Sequence, residues 1–200
     1  MMTLKALPNL LTALRIVLAV LVFLGLCAAA DALPFQDDLT DLAVRRDLLL
    51  LCAAAFVFGA ITDYFDGWLA RKLDAQSPWG AMLDPIADKM AAAGAILGLV
   101  ALEPNGTVTL AGGIILFREF FVSGLRETGA SRGLALPVSQ LAKWKTTAQL
   151  VALSAEMISA AYGGGNVRVF AHALLWIAAA LTLWTGAEYA VAAAKGLKKT

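Results

Sequence analysis

The sequence predicts an all-α integral membrane protein of six transmembrane helices gathered in one bundle. Of its 200 residues 60% are apolar and only 16% are charged. The apolar residues fall in long runs instead of the alternating patterns of a soluble domain. Six of the runs reach the length of about 20 residues that a helix needs to cross a bilayer. They occupy 10–30, 48–69, 80–102, 108–125, 138–161 and 170–194. So much of the chain is used that residues 1–200 read as a single membrane domain, with no room for a separate soluble domain of ordinary size.

The first run resembles a secretory signal in outline, since Lys5 and Arg15 precede an apolar stretch ending Cys27-Ala28-Ala29-Ala30-Asp31-Ala32. Bulky Leu26 before Cys27 argues against lipoprotein processing, and a retained first helix is expected. The second and third runs meet at a short basic turn holding Arg71, Lys72 and Asp74, with Asp63 and Asp66 before it and Asp84 and Asp88 after it. Pro85 falls inside the third run, where it should bend or locally open the helix and free a carbonyl. The fourth run carries Arg118 with Arg126 at its end, and Lys143 and Lys145 enter the fifth. In the sixth, His172 is expected to pack or to make an interhelical hydrogen bond, and Trp184 and Tyr189 suit an interfacial aromatic belt. Cys27 and Cys52 have no second Cys or His nearby, so neither a zinc site nor a redox pair is indicated.

Orientation follows from the basic residues. The first interhelical segment is acidic, with Asp31, Asp37, Asp38, Asp41 and Asp47 against Arg45 and Arg46. The second segment, the junction between helices four and five, and the tail with Lys195, Lys198 and Lys199 are basic. A multi-pass protein of the inner (cytoplasmic) membrane is expected, with both termini and the aspartate-bearing helix ends facing the cytoplasm. A net charge of +1 gives no reason to expect a nucleic-acid partner. Between 128 and 155 there is no Asp or Glu, while Arg132, Lys143 and Lys145 are present. That local excess of positive charge lies on the same face as the aspartates.

Asp63, Asp66, Asp84 and Asp88 are the residues most in need of a reason. Each ionised side chain at membrane depth costs roughly 2.5–3.5 kcal/mol even on a lenient scale. The first pair is three apart and the second four apart, so each pair shares one face of its helix. With oxygen donors only, the set favours a hard divalent ion, Mg²⁺ or Mn²⁺, over Zn²⁺ or Cu²⁺. Four carboxylates balance two such ions in formal charge, the arrangement used for displacement at phosphorus. An internally paired network would need bases, and Arg71 and Lys89 are the nearby ones; two cations do not quench four anions. Gly67, Ala70 and Gly80 leave space for tight packing or for a ligand to approach the backbone.

Written out, the stretch reads D-x-x-D-G-x-x-A-R, eight residues, then G-x-x-x-D-x-x-x-D, realised as Asp63, Asp66, Gly67, Ala70, Arg71, Gly80, Asp84 and Asp88. This resembles the signature of the CDP-alcohol phosphotransferases at all eight fixed positions and in their spacing. The likeness extends to Pro8-Asn9-Leu10-Leu11-Thr12-Ala13-Leu14-Arg15, to Arg118-Glu119, to Leu125-Arg126-Glu127 and to Lys143-Trp144-Lys145-Thr146-Thr147-Ala148-Gln149. Residues 28–47 and 162–200 add nothing to it.

The resemblance implies a six-helix membrane enzyme, usually a homodimer, with a polar cavity open to the cytoplasm. It implies two Mg²⁺ ions, with Mn²⁺ as the alternative, at Asp63, Asp66, Asp84 and Asp88, the last acting as general base. It implies a cytidine diphosphate site at Asn9, Thr12, Asp66, Gly67, Ala70, Arg71 and Gly80. Arg118, Arg126, Lys143 and Lys145 are implied as the receivers of an acceptor phosphate. The substrates implied are CDP-diacylglycerol and glycerol 3-phosphate, with phosphatidylglycerol or inositol phosphate as alternative acceptors within the family. The planar fork of arginine suits a phosphorylated acceptor better than serine, choline or free inositol. A cation-coupled transporter is the rival of another class, and the aspartate pattern has no second copy after Asp88 of the kind transporter repeats show.

Overall fold

Each of the six apolar runs falls largely within a helix, which satisfies the backbone polar groups by bonding within the segment. The computed structural model describes residues 7–35, 39, 41–72, 78–104, 106–133 and 140–197. Among them the helices are α1 Leu7–Ala29, α2 Leu42–Lys72, α3 Pro78–Leu102, α4 Gly106–Ser131, α5 Gln140–Tyr162 and α6 Asn166–Leu197.

The helix ends have local causes. α2 starts ahead of its apolar run because the Asp41 carboxylate accepts the backbone N–H of Ala43 at 2.8 Å and of Val44 at 3.4 Å, capping the first turn. α1 closes where the Ala30 and Ala32 amides return to the carbonyls of Leu26 and Cys27, with Asp31 at a positive φ of 53°. The link from α5 to α6 is Gly163-Gly164-Gly165, at φ of 80°, 114° and 70°, a run that only glycine adopts without strain. α3 begins on Pro78 and continues through Pro85 as a single helix. Pro85 still has no N–H to offer the carbonyl one turn back, so the expected free carbonyl arises without a break in the helix.

α1 packs on α2 and α3, while α4 and α5 pack on α6; α2 against α5 joins the two halves, with lesser contacts from α3 to α4 and α5. The shared core takes Leu26, Leu49, Ile96, Ile115, Leu153, Met157 and Leu175, at least one residue from every helix and all nearly inaccessible. In lipid such packing is held by close contact more than by expulsion of water, so small residues at crossings matter. At Gly98 an added Cβ would lie 2.6 Å from Leu26 Cβ, which shows how closely α1 and α3 approach. Cys27 and Cys52 are buried and unpaired by any disulfide.

The outward faces carry large apolar side chains, among them Leu21, Phe58, Leu97, Phe117, Val169 and Ile177. Among the described residues four segments are long and apolar enough to cross a membrane: Asn9–Ala29, Met82–Leu102, Gly106–Ser131 and Asn166–Gly196. The chain is an all-helical membrane protein.

Candidate active site

Three helices bring the acidic residues to one place. Asp63 comes from α2, and Asp84 and Asp88 stand one turn apart on α3. α1 faces them with Thr12 and Arg15, three apart and therefore on one side of the helix. Arg15 Nη1 donates to Asp63 and, at 2.9 Å, to Asp88, while Nη2 donates to Asp84 at 2.9 Å. Thr12 Oγ1 donates to the same Asp84 oxygen at 2.8 Å. Arg15 is buried, at 5% exposure, whereas the side chains of Asp63, Asp84 and Asp88 are 47%, 47% and 62% exposed. The guanidinium thus sits behind a rim of half-open carboxylates.

This corrects one step of the sequence reading, which sought basic partners only on the helices that bear the aspartates. The partner comes from α1, 48 positions before Asp63. One signal was available, since an arginine inside an apolar run needs a counter-charge as much as an aspartate does.

Thr12, expected at the cytidine diphosphate site, is tied to Asp84, and Asn9 lies one turn before it on α1. Gly80 is buried in the first turn of α3, one turn before Asp84. The backbone of α2 carries Asp66, Gly67, Ala70 and Arg71 toward its end, but their side chains lie outside the described residues. Asp63, Asp84 and Asp88 with Thr12 make a donor set of oxygen only, which fits a hard divalent ion. Among the described residues no three such side chains are placed to hold a metal ion as they stand, and Arg15 is bonded to Asp63, Asp84 and Asp88.

A cavity of about 400 Å³ opens beside this cluster. It is lined by Arg15, Asp63, Asp88 and Lys89 from the first three helices, by Glu119, Lys145 and Gln149 from α4 and α5, and by apolar Val22, Phe56 and Leu153. Lys145 is buried and donates to Glu119 Oε1. The same oxygen accepts from Arg118 Nη1 and Gln149 Nε2, each at 3.3 Å. Gln149 Nε2 is also 2.9 Å from Thr182 Oγ1. One carboxylate is therefore shared by two cations, Lys145 in the cavity lining and Arg118 outside it.

Of the four basic residues expected to meet an acceptor phosphate, Lys145 stands in the cavity wall. Arg118 turns toward α6 instead: its Nη2 donates to Thr185 Oγ1 at 2.8 Å and its guanidinium carbon lies 5.7 Å from the centre of the Tyr189 ring. Gly186 makes room for it, since an added Cβ there would come within 2.9 Å of Arg118 Cγ. Arg126 is exposed farther along α4, and the side chain of Lys143 lies outside the described residues. Tyr189 is another correction, being 6% exposed under Arg118 and not at an interface. Trp184 is exposed, as a belt residue would be.

Arg15, Glu119 and Gln149 are the site residues that sequence reasoning missed, although all three lie in the segments that carry the family likeness. At the opposite end of the bundle His172 Nδ1 is 2.9 Å from Glu156 Oε1, the interhelical hydrogen bond expected of it, and Arg168 pairs with Glu103 at 2.6 Å.

Carboxylates and lysines thus line one cavity within a helical bundle that is apolar outside. The chain belongs to the CDP-alcohol phosphatidyltransferase family, whose sequence pattern it matches over residues 5–184. It is 38% identical over 187 residues to a protein of Rickettsia felis (strain ATCC VR-1525 / URRWXCal2), covering 92% of this chain and 93% of that one. A protein of Pseudomonas fluorescens is 36% identical over 194 residues, covering 96% and 91%. One of Rickettsia bellii (strain RML369-C) is 42% identical over 143 residues, covering 70% and 77%. All three are named CDP-diacylglycerol–glycerol-3-phosphate 3-phosphatidyltransferase.

Proposed function

We propose that this protein transfers the phosphatidyl group of CDP-diacylglycerol to glycerol 3-phosphate, giving phosphatidylglycerol phosphate and CMP. The observation that carries the reading is the cavity lined by Asp63, Asp88 and Lys145 in a chain of this family. Both substrates are anionic, so the aspartates need divalent cations to meet them and Lys145 does not. Asp63, Asp66, Asp84 and Asp88 would hold two Mg²⁺ or Mn²⁺ ions. When bound, the ions supply positive charge against that which builds on the diphosphate.

The primary hydroxyl of glycerol 3-phosphate attacks the phosphorus that bears the diacylglycerol, the bond to CMP breaks, and CMP leaves. Asp88, the most open of the three described aspartates, takes the hydroxyl proton. Lys145, held by Glu119, meets the phosphate of the acceptor, with Arg118, Arg126 and Lys143 as further sources of positive charge on that side. Asn9, Thr12, Gly67, Ala70, Arg71 and Gly80, with Asp66, surround the cytidine diphosphate. The apolar outer faces keep the acyl chains of donor and product in lipid. All six helices span the inner membrane, the termini and the cavity face the cytoplasm, and two copies associate as a homodimer.

The test is CMP release by purified protein in detergent with CDP-diacylglycerol and Mg²⁺, offering glycerol 3-phosphate, inositol phosphate and phosphatidylglycerol in separate reactions, with and without chelator. Turnover with glycerol 3-phosphate alone, abolished by chelator, is expected. Turnover only with another acceptor overturns the substrate assignment, and CMP from none of them overturns the reaction.

A further inference from the structure

The role of Arg15 goes beyond closing a salt bridge. It is the buried member of the cluster, and its one planar fork spans carboxylates from two helices while belonging to a third. Each of the three aspartates gives it an oxygen that a divalent ion would also want. Without a cation between them, Asp63, Asp84 and Asp88 would repel one another across the α2–α3 crossing. Arginine stays charged at every accessible pH, so this cation is permanent. It is also tethered, since Thr12, one turn away, donates to Asp84 and fixes the same face of α1 at the cluster. Arg15 is moreover one of the residues lining the cavity, so its fork has space beside the carboxylates when another cation takes them.

We propose that Arg15 is a place-holder cation: a positioning residue that gathers Asp63, Asp84 and Asp88 and competes with divalent metal for their oxygens, thereby setting the metal affinity of the site. This rests on the metal-dependent transfer proposed above and adds a residue to it. A fixed positive charge within a few ångströms of a divalent ion weakens binding by about tenfold or more, even at high effective dielectric.

The experiment is Mn²⁺ binding to purified protein in detergent without substrates, followed by the electron paramagnetic resonance signal of free Mn²⁺, for the wild type, Arg15→Gln and Arg15→Lys. Arg15→Gln should bind Mn²⁺ about tenfold tighter or more. Lysine keeps the charge but not the fork that spans three carboxylates, so Arg15→Lys should fall between the two. It decides the matter if Arg15→Gln does not fold, and wild-type affinity in Arg15→Lys would then overturn the proposal. Equal or weaker binding by Arg15→Gln overturns the competition while leaving phosphatidyl transfer standing, because the wild type still binds metal. No Mn²⁺ bound by any of the proteins overturns both.

Discussion

Removing the charge of Glu119 should destabilise the bundle and disarm the cavity together, and the two effects can be separated. Glu119 accepts from Lys145, Arg118 and Gln149 through one oxygen, and both cations are more than nine-tenths buried. Glu119→Gln keeps the shape but leaves Lys145 and Arg118 facing each other without an anion. Removing one partner of a buried pair costs about 3–5 kcal/mol, and since the Glu119 side chain is 22% exposed the lower end applies. For a chain of this length about 3 kcal/mol lowers Tm by roughly 6–12 °C.

Lys145→Met should cost less, because Glu119 keeps Arg118 and Gln149 as donors. The double variant Glu119→Gln/Lys145→Met removes the pair as a unit, while Gln149 keeps Thr182 and Arg118 keeps Thr185. Its stability should recover only part of the loss, because Arg118 keeps Thr185 but no carboxylate. Its turnover should not return, because the lysine proposed to meet the acceptor is gone. Thermal unfolding in detergent, beside CMP release, reads both. A double variant melting as low as Glu119→Gln would refute the claim that the energy lies in the Glu119–Lys145 contact.

Asp88→Asn should lower kcat by about 10²- to 10⁴-fold with little change in either KM; near-normal turnover at saturating Mg²⁺ would rule out Asp88 as the base. Arg126→Ala should raise the apparent KM for glycerol 3-phosphate far more than that for CDP-diacylglycerol, and equal effects on both would remove Arg126 from the acceptor side. Gly98→Ala puts a Cβ 2.6 Å from that of Leu26 and should cost about 1–3 kcal/mol. Because α1 and α3 also carry Arg15 and Asp84, its metal affinity should change too. Trimming Leu26 to alanine cannot relieve that contact, since it keeps the Cβ, so unchanged melting and Mn²⁺ binding in Gly98→Ala would refute the reasoning.

The parts of this protein that could be read from its sequence are those whose cause is local. A run of about 20 apolar residues favours a helix, and each of the six runs falls largely within one. The spacings 63–66 and 84–88 place carboxylates on helix faces by helical geometry alone. Tyr189 was misplaced because its surroundings are not local: an aromatic near a helix end suits an interface, but Arg118 from α4 covers this one.

The pairing of charges shows the same division with more consequence. Asp63, Asp84 and Asp88 share Arg15, 48 to 73 positions away, and Lys145 meets Glu119 across 26. No spacing rule reaches so far, yet an apolar bundle restricts the possibilities, because an ion buried among apolar side chains must find an opposite charge or face water. The run 10–30 contains Arg15 with no acidic neighbour on its own helix, and in the run 108–125 Glu119 adjoins Arg118 among phenylalanines. Arg15 was therefore an unmatched ion owed a partner on another helix, and the acidic cluster at the α2–α3 turn had negative charge in excess. Glu119 has Arg118 beside it and takes Lys145 as a second cation. Matching the isolated charge to the cluster pairs Arg15 with the aspartates, and it turns an apparent cost of membrane insertion into part of the cavity lining.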